Sequence, residues 1–196
     1  MKISEEVQRF GYHYPQIAAV VTARANGRAN AMTAAWQTPV SSRPPLYGVA
    51  ISPKRFTYSL ILKSGEFAVN FLPWEKAELV AAVGGSKGEK IDKFKSFGIE
   101  EEEPIKTGAP ILKCAYAAYE CRLVSDQACG DHRFVVGEVL AVHYLEGAFS
   151  DEGIINLDKV RPVLYIGLDS YVDINTPEVV VIDRLKAIRH LEEEHD

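Results

Sequence analysis

The sequence has few cysteines and no long apolar run, and each shortage excludes a class of protein. Three of the 196 residues are cysteine, and Cys114, Cys121 and Cys129 show no C-x-x-C spacing. An odd number without that spacing argues against a disulfide framework or a zinc site. No stretch is long and apolar enough to span a bilayer, and the first residues lack the apolar centre of a secretory signal. We therefore expect a protein of the reducing cytoplasm.

The charge of the chain is not strongly biased. A net charge of −5 and a pI near 5.6 argue against general binding to nucleic acid or to anionic membranes. Hydrophobic residues make up 47% and charged residues 25%, close to globular averages. The length suits one domain with a sizeable core. Any anion site in such a chain must be local.

Short apolar or alternating segments, separated by turn signals, predict a mainly β protein. Asn26-Gly27 is a favoured hairpin turn between the first two segments. The predicted strands are residues 17–23, 29–40, 46–51, 66–72, 115–124 and 134–144, and the predicted helices are 57–63, 75–83 and 182–195. Most connections are too short for helices between parallel strands. The fold class is therefore expected to be mainly β, a closed or nearly closed barrel with a few short helices.

Two of the predicted strands indicate how they are covered. In residues 115–124, Cys121 falls on the inward face, and Glu120 and Arg122 fall on the opposite face. Residues 134–144 are apolar on both faces, and such a strand needs cover on both faces. We expect one cover to be the barrel core and the other to be a second subunit.

Most of the functional information lies in Asn30-Ala-Met-Thr33-Ala-Ala-Trp36 and in Ser52-Pro-Lys-Arg55-Phe-Thr57. The first segment places small residues beside an aromatic side chain, which suits a flat ring held by backbone groups. In the second, Arg55 offers a planar fork of donors, and Ser52 and Thr57 offer hydroxyls for a phosphate. A helix that begins near Thr57 would add free N–H groups and its dipole. Spacing alone also allows an ordinary helix N-cap with a surface arginine.

Two further groups of residues carry weaker signals. Residues 84–94 are rich in glycine and lysine, but they form neither a Walker loop nor a Rossmann fingerprint. Lysines on a flexible loop could close over a phosphate, although most such stretches are solvated surface loops. In Gly130-Asp131-His132, Asp131 could orient or protonate the imidazole of His132. A structural histidine with satisfied hydrogen bonds is the alternative.

In this order the motifs resemble the flavin reductase-like family with the FMN-binding split-barrel fold, particularly its flavoredoxin-like branch. The resemblance covers about Ile17 to Tyr171, and its further motifs are Val-Ser-Ser-Arg-Pro-Pro-Leu, Gly-Glu-Phe-Ala-Val-Asn, Asp92-Lys93-Phe94 and Gly-Asp-His before Val-Gly-Glu-Val. It implies non-covalent FMN on a split β-barrel, usually near a homodimer interface. One domain is expected over residues 1–196, with the split barrel at about 10–175 and a helical extension at about 182–196.

The resemblance also implies roles for individual residues. Contact with the flavin ring, largely through backbone groups, is implied for Asn30, Met32 and Thr33. Binding of the 5′-phosphate is implied for Ser52, Arg55 and Thr57, with added charge from Lys87 or Lys93. Catalytic positions beside the ring, where a reductant or partner approaches, are implied for Trp36 and His132. A glycine-glycine-x-x-tyrosine stretch common in the family is reduced here to Gly167 and Tyr171.

Four functions stay open at this point. The first is an NAD(P)H-dependent flavin reductase that passes reduced FMN to a partner oxygenase or another acceptor. The second is a flavoredoxin-like carrier that exchanges electrons with a redox protein. The third is a ferric-iron reductase, and the fourth is a β-barrel binding module without redox activity. No acidic ribose-binding signature distinguishes NADH from NADPH.

Overall fold

The computed structural model describes residues 3, 5, 7, 11–174 and 179–194. The strands in chain order are β1 (Gln16–Ile17), β2 (Ala19–Ala25), β3 (Arg28–Ala34), β4 (Gln37–Ser42), β5 (Pro45–Ile51), β6 (Glu66–Phe71), β7 (Glu101–Glu102), β8 (Ile111–Leu112), β9 (Ala117–Cys129), β10 (His132–Tyr144), β11 (Leu164–Gly167), β12 (Ser170–Val172) and β13 (Val179–Val181). The helices are α1 (Phe56–Ser64), α2 (Ala77–Gly85), α3 (Lys93–Ser96) and α4 (Arg184–Glu193), with a 3-10 turn at Trp74–Lys76.

A seven-stranded sheet in the order β3-β2-β6-β9-β10-β5-β4 forms the frame of the molecule. Its neighbouring strands are all antiparallel. A second sheet has the order β1-β11-β12-β13, and β7 pairs with β8. This arrangement confirms the mainly β fold with few helices. Within the described residues, none of the helices has the length and apolar character needed to cross a membrane.

The two edges of the large sheet are joined by Ala35 and Trp36 alone, although β3 and β4 lie at its opposite ends. A flat sheet of seven strands would be roughly 29 Å wide, which two residues cannot span. The sheet must therefore curl into a barrel, and the N–H of Ala50 donates to the carbonyl of Trp36 at 2.8 Å to fix this corner on β5. The prediction of one strand over residues 29–40 was wrong, because the corner interrupts it.

The backbone confirms the predicted hairpin turn and ends the first predicted helix within one residue of its expected bound. Asn26 and Gly27 have φ values of 53° and 73°, as a two-residue hairpin turn between twisted strands requires. Helix α1 ends at Gly65, where φ is 73° and the N–H donates to the carbonyl of Ile61 at 2.8 Å. A side chain would strain either glycine position, because both lie in the left-handed region.

Apolar side chains fill two layers. Inside the barrel, Val21 packs with Cys121 and Val135, and all three are fully buried. On the outer side of the same strands, Val20 belongs to a second core with Ala187 of α4. Adjacent residues of β2 thus enter different cores, because side chains alternate along a strand. The inward position predicted for Cys121 is confirmed.

The face of β9 opposite Cys121 carries Glu120, as the alternation predicts, but this face is covered. The loop of residues 103–109 packs over Glu120 and donates N–H bonds of 2.7–2.8 Å from Ile105, Lys106 and Thr107. Burial raises the pKa of this carboxyl, but the hydrogen bonds from His143 and from the loop outweigh burial and bring it down to about 2. A charged group is tolerated here because its acceptors are satisfied.

Candidate functional site

Two adjoining cavities lie beside the corner of the barrel. One has a volume of about 250 Å³ and includes Trp36 and His132; we call it the aromatic cavity. The other has a volume of about 440 Å³ and includes Lys87 and Lys93; we call it the basic cavity. They share the walls formed by Met32, Thr33, Ser52, Arg55 and Gly84. Every predicted site residue lines one cavity or both, so the structure brings the whole predicted set together.

Helix α1 begins at the boundary between the two cavities. Arg55 precedes its first turn in an extended conformation, and no described side chain caps the helix. The N–H of Tyr58 donates to the carbonyl of Arg55 at 3.0 Å, so the N–H groups of Phe56 and Thr57 and the positive end of the dipole remain available to an anion. The N–H of Arg55 donates to the carbonyl of Ser52 at 2.9 Å, which holds Ser52 beside the helix start. The predicted phosphate residues thus meet at one helix N-terminus.

Asn30 and Thr57 form the floor of the basic cavity. The Nδ2 of Asn30 donates to the Oγ1 of Thr57 at 2.8 Å, and both residues are buried. The Oδ1 of Asn30 has no hydrogen-bond partner among the described residues. A Cβ added to Gly88 would lie 2.0 Å from this oxygen, so only glycine allows the loop to approach so closely. An unpaired buried acceptor is costly, and the cavity therefore favours a ligand that donates a hydrogen bond.

The sequence predicted Lys93 on a flexible loop, and this prediction was wrong. Lys93 is buried in the first turn of α3. Its Nζ donates to the carbonyls of Ala31 and Val83, each at 2.7 Å. Burial, and to a smaller extent the positive charge of Arg55, lowers the pKa of Lys93 to about 7. A neutral amine has two N–H donors, which these carbonyls use, whereas the protonated amine has a third. Lys93 therefore links β3 to the end of α2 through its amine, and protonation of that amine would add a positive charge and a third donor for an anion.

The loop that carries Lys87 is held in place by Arg28. The Nη2 of Arg28 donates to the carbonyls of Gly88 and Glu89 at 2.7 and 2.9 Å. Its guanidinium lies 4.4 Å from the ring centroid of Phe56, the first residue of α1. Arg28 thus ties β3, the start of α1 and the loop together. Sequence reasoning missed it, because contacts between residues so far apart in the chain leave no local signal.

Trp36 and His132 lie next to each other in the aromatic cavity. Their ring centroids are 5.0 Å apart and the planes are inclined by 49°. The indole Nε1 of Trp36 donates to the hydroxyl of Tyr14 at 3.2 Å. The Nδ1 of His132 lies 2.8 Å from the Oδ1 of Asp131, and this contact lowers the pKa of Asp131. The pairing of Asp131 with His132 that the sequence suggested is present.

Three further residues of the aromatic cavity were not predicted as site residues: Tyr14, Tyr165 and Arg184. Tyr14 meets Tyr165 edge to face with ring centroids 5.4 Å apart, and Tyr165 lies at the same distance from Tyr171. They reach the cavity because β1 pairs with β11, which joins distant parts of the chain. Tyr171, which the resemblance singled out, is buried in the cavity wall.

The end of α2 closes the wall that the two cavities share. A Cβ on Gly84 would lie 3.1 Å from the Cβ of Thr33, so glycine lets α2 end close against β3. The Oγ1 of Thr33 donates to the carbonyl of Val80 at 2.5 Å and fixes this contact. Gly84 and Gly85 are thus the end of a helix, whereas the sequence placed them in a flexible loop.

Comparison with known proteins places these features in a family. Residues 11–172 match the flavin reductase like domain. An FMN-binding protein from Thermus thermophilus, solved with bound 1-cyclohex-2-enone, is 36% identical with a TM-score of 0.79, covering 88% of this chain and 94% of that one. Its structure with p-hydroxybenzaldehyde has a TM-score of 0.78 at 37% identity and the same coverage.

Flavoredoxin from Methanosarcina acetivorans has a TM-score of 0.77 at 28% identity, covering 96% of this chain and 98% of that one. An uncharacterized protein of Aeropyrum pernix is 36% identical over 155 residues, which are 79% of this chain and 58% of the relative. The chain therefore spans little more than half the length of that relative. The family match includes both cavities except Arg184, and this chain belongs to the flavin reductase like domain family.

Proposed function

We propose that this protein is an FMN-binding oxidoreductase that exchanges electrons with a second ligand or a partner protein. The observation that carries the proposal is the pairing of an uncapped helix N-terminus and two cations with an adjoining aromatic cavity. FMN has one phosphate and one flat ring. The basic cavity offers one anion site, the wall that the two cavities share offers a place for the ring, and the aromatic cavity is left for a second ligand. The family match and the FMN-binding relative from Thermus thermophilus support this assignment.

The described residues fit FMN in three respects. Arg55 and Lys93 supply positive charge beside the free N–H groups of α1, which suits a single phosphate. The unpaired Oδ1 of Asn30 is an acceptor for a ligand N–H or hydroxyl. Small residues such as Ala34 and Ala50 line the aromatic cavity, which leaves room for a second ligand beside a flavin ring on the shared wall.

In this proposal Ser52, Arg55 and Thr57 hold the phosphate, Lys93 and Lys87 add charge, and Asn30, Met32 and Thr33 meet the ring. Bound FMN would supply the redox chemistry, and the chain would supply orientation, charge and access. The test is the flavin content of the purified protein, followed by titration of the apoprotein with FMN, FAD and riboflavin. We expect non-covalent FMN to bind most tightly, because the basic cavity offers one phosphate site. Apoprotein that binds none of the three flavins would contradict the proposal.

We propose NADH or NADPH as the electron donor, in line with the reductase family. The second candidate is electron exchange with a redox protein, which the likeness to flavoredoxin and the exposure of Trp36 favour. Anaerobic stopped-flow mixing of the holoprotein with each nucleotide separates them. Rapid bleaching of the flavin absorbance supports the first candidate, and no bleaching with either nucleotide supports the second. Addition of a ferric chelate or of free FMN as acceptor then tests ferric reductase and flavin-transfer activity.

We also propose a homodimer. The outer side of β10 and the residue that follows it leave large apolar side chains exposed, with Val142 at 52%, Tyr144 at 68% and Leu145 at 55%. A second copy that covers this face would bury them, and a specific interface should exceed roughly 1,000 Å² in total. Light scattering at micromolar concentration should give the mass of a dimer. A monomer mass throughout would contradict the proposal.

A further inference from the structure

Arg184 is a cation of the aromatic cavity that the proposed phosphate site does not use. It is the first residue of α4, and its side chain is 36% exposed where it lines the cavity beside Tyr14 and Trp36. Arg55, the other arginine of this cavity, also lines the basic cavity. The aromatic cavity therefore has a positive charge of its own at the end formed by the carboxy-terminal helix.

Three separate contacts hold Arg184 in this place. A Cβ on Gly85 would lie 2.7 Å from the Cβ of Arg184 and 3.0 Å from its Cδ, so the arginine stem runs directly over that glycine. The Nε of Arg184 lies within ion-pair distance of Asp169, in the turn between β11 and β12, but has no hydrogen-bond partner among the described residues. Helix α4 itself is anchored on the second core by the buried Ala187. The stem of Arg184 is thus held in place before any ligand arrives, which limits the ordering cost of binding.

The contact with Asp169 leaves N–H donors of the Arg184 guanidinium available to a ligand. Asp169 has 37% of its side chain exposed, and ion pairs between such exposed groups contribute little to stability. A guanidinium has five N–H donors, so an anionic ligand can share it with Asp169 or replace that carboxylate. The flat walls formed by Trp36 and Tyr165 suit a ligand with a planar ring.

We propose that Arg184 makes the aromatic cavity selective for a second ligand with a planar ring and an anionic group. The inference rests on the proposed function, in which the FMN phosphate occupies the basic cavity and the flavin ring lies against the wall that the two cavities share. Asp169 reduces this selectivity, because it competes for the same guanidinium. The expected class of ligand is an aromatic carboxylate, or a ring that carries a phosphate.

The experiment compares two probes that differ in charge, 4-hydroxybenzoate and 4-hydroxybenzaldehyde, on the FMN-loaded protein at about pH 6, where the benzoate is an anion and the phenol of the aldehyde is neutral. Binding is followed by the change in flavin absorbance. The wild-type protein should bind the benzoate more tightly than the aldehyde. Arg184→Gln should weaken benzoate binding by at least about tenfold, as loss of a hydrogen bond to a charged group implies, and should leave aldehyde binding unchanged. Asp169→Asn should tighten benzoate binding.

The matched control is Lys186→Gln, which removes a positive charge from an exposed position of the same helix. Lys186→Gln should change the affinity for neither probe. Arg184→Lys keeps the charge and should retain most of the preference, which covers the case in which Arg184→Gln disturbs α4. The FMN dissociation constant of each variant is measured first, and a wild-type protein that binds no FMN would refute the proposed function rather than the role of Arg184 alone.

Three results would overturn the inference while the proposed function stands. One is equal affinity of the wild-type holoprotein for the two probes. Another is equal weakening of both probes in Arg184→Gln, which would make the arginine a packing residue. The third is a shifted midpoint potential of the bound flavin in Arg184→Gln without a change in probe preference, which would assign Arg184 to the cofactor.

Discussion

The two cavities are built in opposite ways. In the basic cavity Asn30, Thr57 and Lys93 are at most 2% exposed, and each is hydrogen bonded to another part of the protein. In the aromatic cavity Trp36 is 40% exposed, and the side chain of His132 is 26% exposed. The buried side chains of the basic cavity are held in position before a ligand binds, whereas the aromatic cavity stays open to solvent. A tightly held cofactor needs the first kind of site, and a ligand that must enter and leave needs the second.

This contrast divides the expected effects of substitution. Changes in the basic cavity should alter the affinity for FMN, and they should act through its phosphate. Changes in the aromatic cavity should spare FMN and alter the electron-transfer step.

Arg55→Ala should give the largest loss. Removing a charged donor beside the start of α1 should weaken FMN binding by about 1.5–3 kcal/mol, while the affinity for riboflavin, which lacks the phosphate, should barely change. Fluorescence titration of the apoprotein with both flavins measures the difference. Lys63→Ala, which removes an exposed charge at the far end of the same helix, is the control. Equal weakening of both flavins would make Arg55 a structural residue.

Gly88→Ala tests the closeness of the loop to the floor of the basic cavity. The new Cβ would lie 2.0 Å from the Oδ1 of Asn30, so the loop must move away. Such overpacking typically costs about 1–3 kcal/mol, and part of that loss should appear in FMN affinity because the loop carries Lys87. Gly108→Ala is the control, since a Cβ there would come no closer than 3.5 Å to another group. Unchanged FMN affinity in Gly88→Ala would show that the loop plays no part in binding.

Lys93 predicts a dependence on pH. The pKa of Lys93 is about 7 in the folded protein, against an ordinary value of 10.5. Above pH 7 a growing fraction of the folded protein therefore has a neutral amine at Lys93. A bound phosphate would raise this pKa, and FMN binding should therefore take up a proton near and above pH 7. Affinity for FMN should be highest between about pH 6, below which the phosphate gains a proton, and pH 7, and it should fall as the pH rises further, with no such trend for riboflavin.

Titration calorimetry at pH 7.5 in two buffers of different ionisation enthalpy measures this uptake, which should lie between zero and one proton and vanish in Lys93→Met. Without FMN the same group affects stability in the opposite direction. Between pH 7 and pH 10.5 the unfolded chain binds more protons at Lys93 than the folded protein does, so its contribution to the free energy of unfolding rises with pH. Equal enthalpies of FMN binding in both buffers would contradict the proposed coupling between FMN binding and protonation of Lys93.

Trp36→Ala and His132→Ala should have the smallest effect on FMN affinity, because neither residue lines the basic cavity. Both should change the rate of anaerobic reduction, since they line the open aromatic cavity. The measurements are bound FMN, melting temperature and reduction rate for each variant. Loss of folding or of FMN, with an unchanged rate in the remaining holoprotein, would make both residues structural.

Local patterns predicted much of the fold, and the residues proposed for the site line two adjoining cavities. The hairpin at Asn26-Gly27 and the end of α1 at Gly65 follow from backbone preferences of a few neighbouring residues. The corner at Ala35 and Trp36 could not be predicted, because Ala-Ala-Trp contains no strand breaker. Only the closure of the sheet requires an interruption there. Arg28 and Arg184 escaped for a similar reason, since their partners lie far away in sequence or on another element.

Lys93 shows a different limit of sequence reasoning. Its position near the anion site followed from the family motif, but its burial did not. A lysine within a glycine- and lysine-rich stretch looks solvated, and nothing in the adjacent residues indicates that two backbone carbonyls will hold its amine. Lys93 lines the same cavity as the other residues predicted to hold the phosphate, but its surroundings differ from those predicted.

The corner at Ala35 and Trp36 also acts as a spacer of fixed length. Because it joins the two edge strands directly, the number of residues in it limits how far the edges can separate, and both cavities lie beside those edges. Inserting one or two glycines after Ala35 would lengthen the spacer without removing any side chain of the site. Variation of loop length at this point is therefore a means of widening the entrance for bulkier ligands while the residues beside the phosphate stay unchanged.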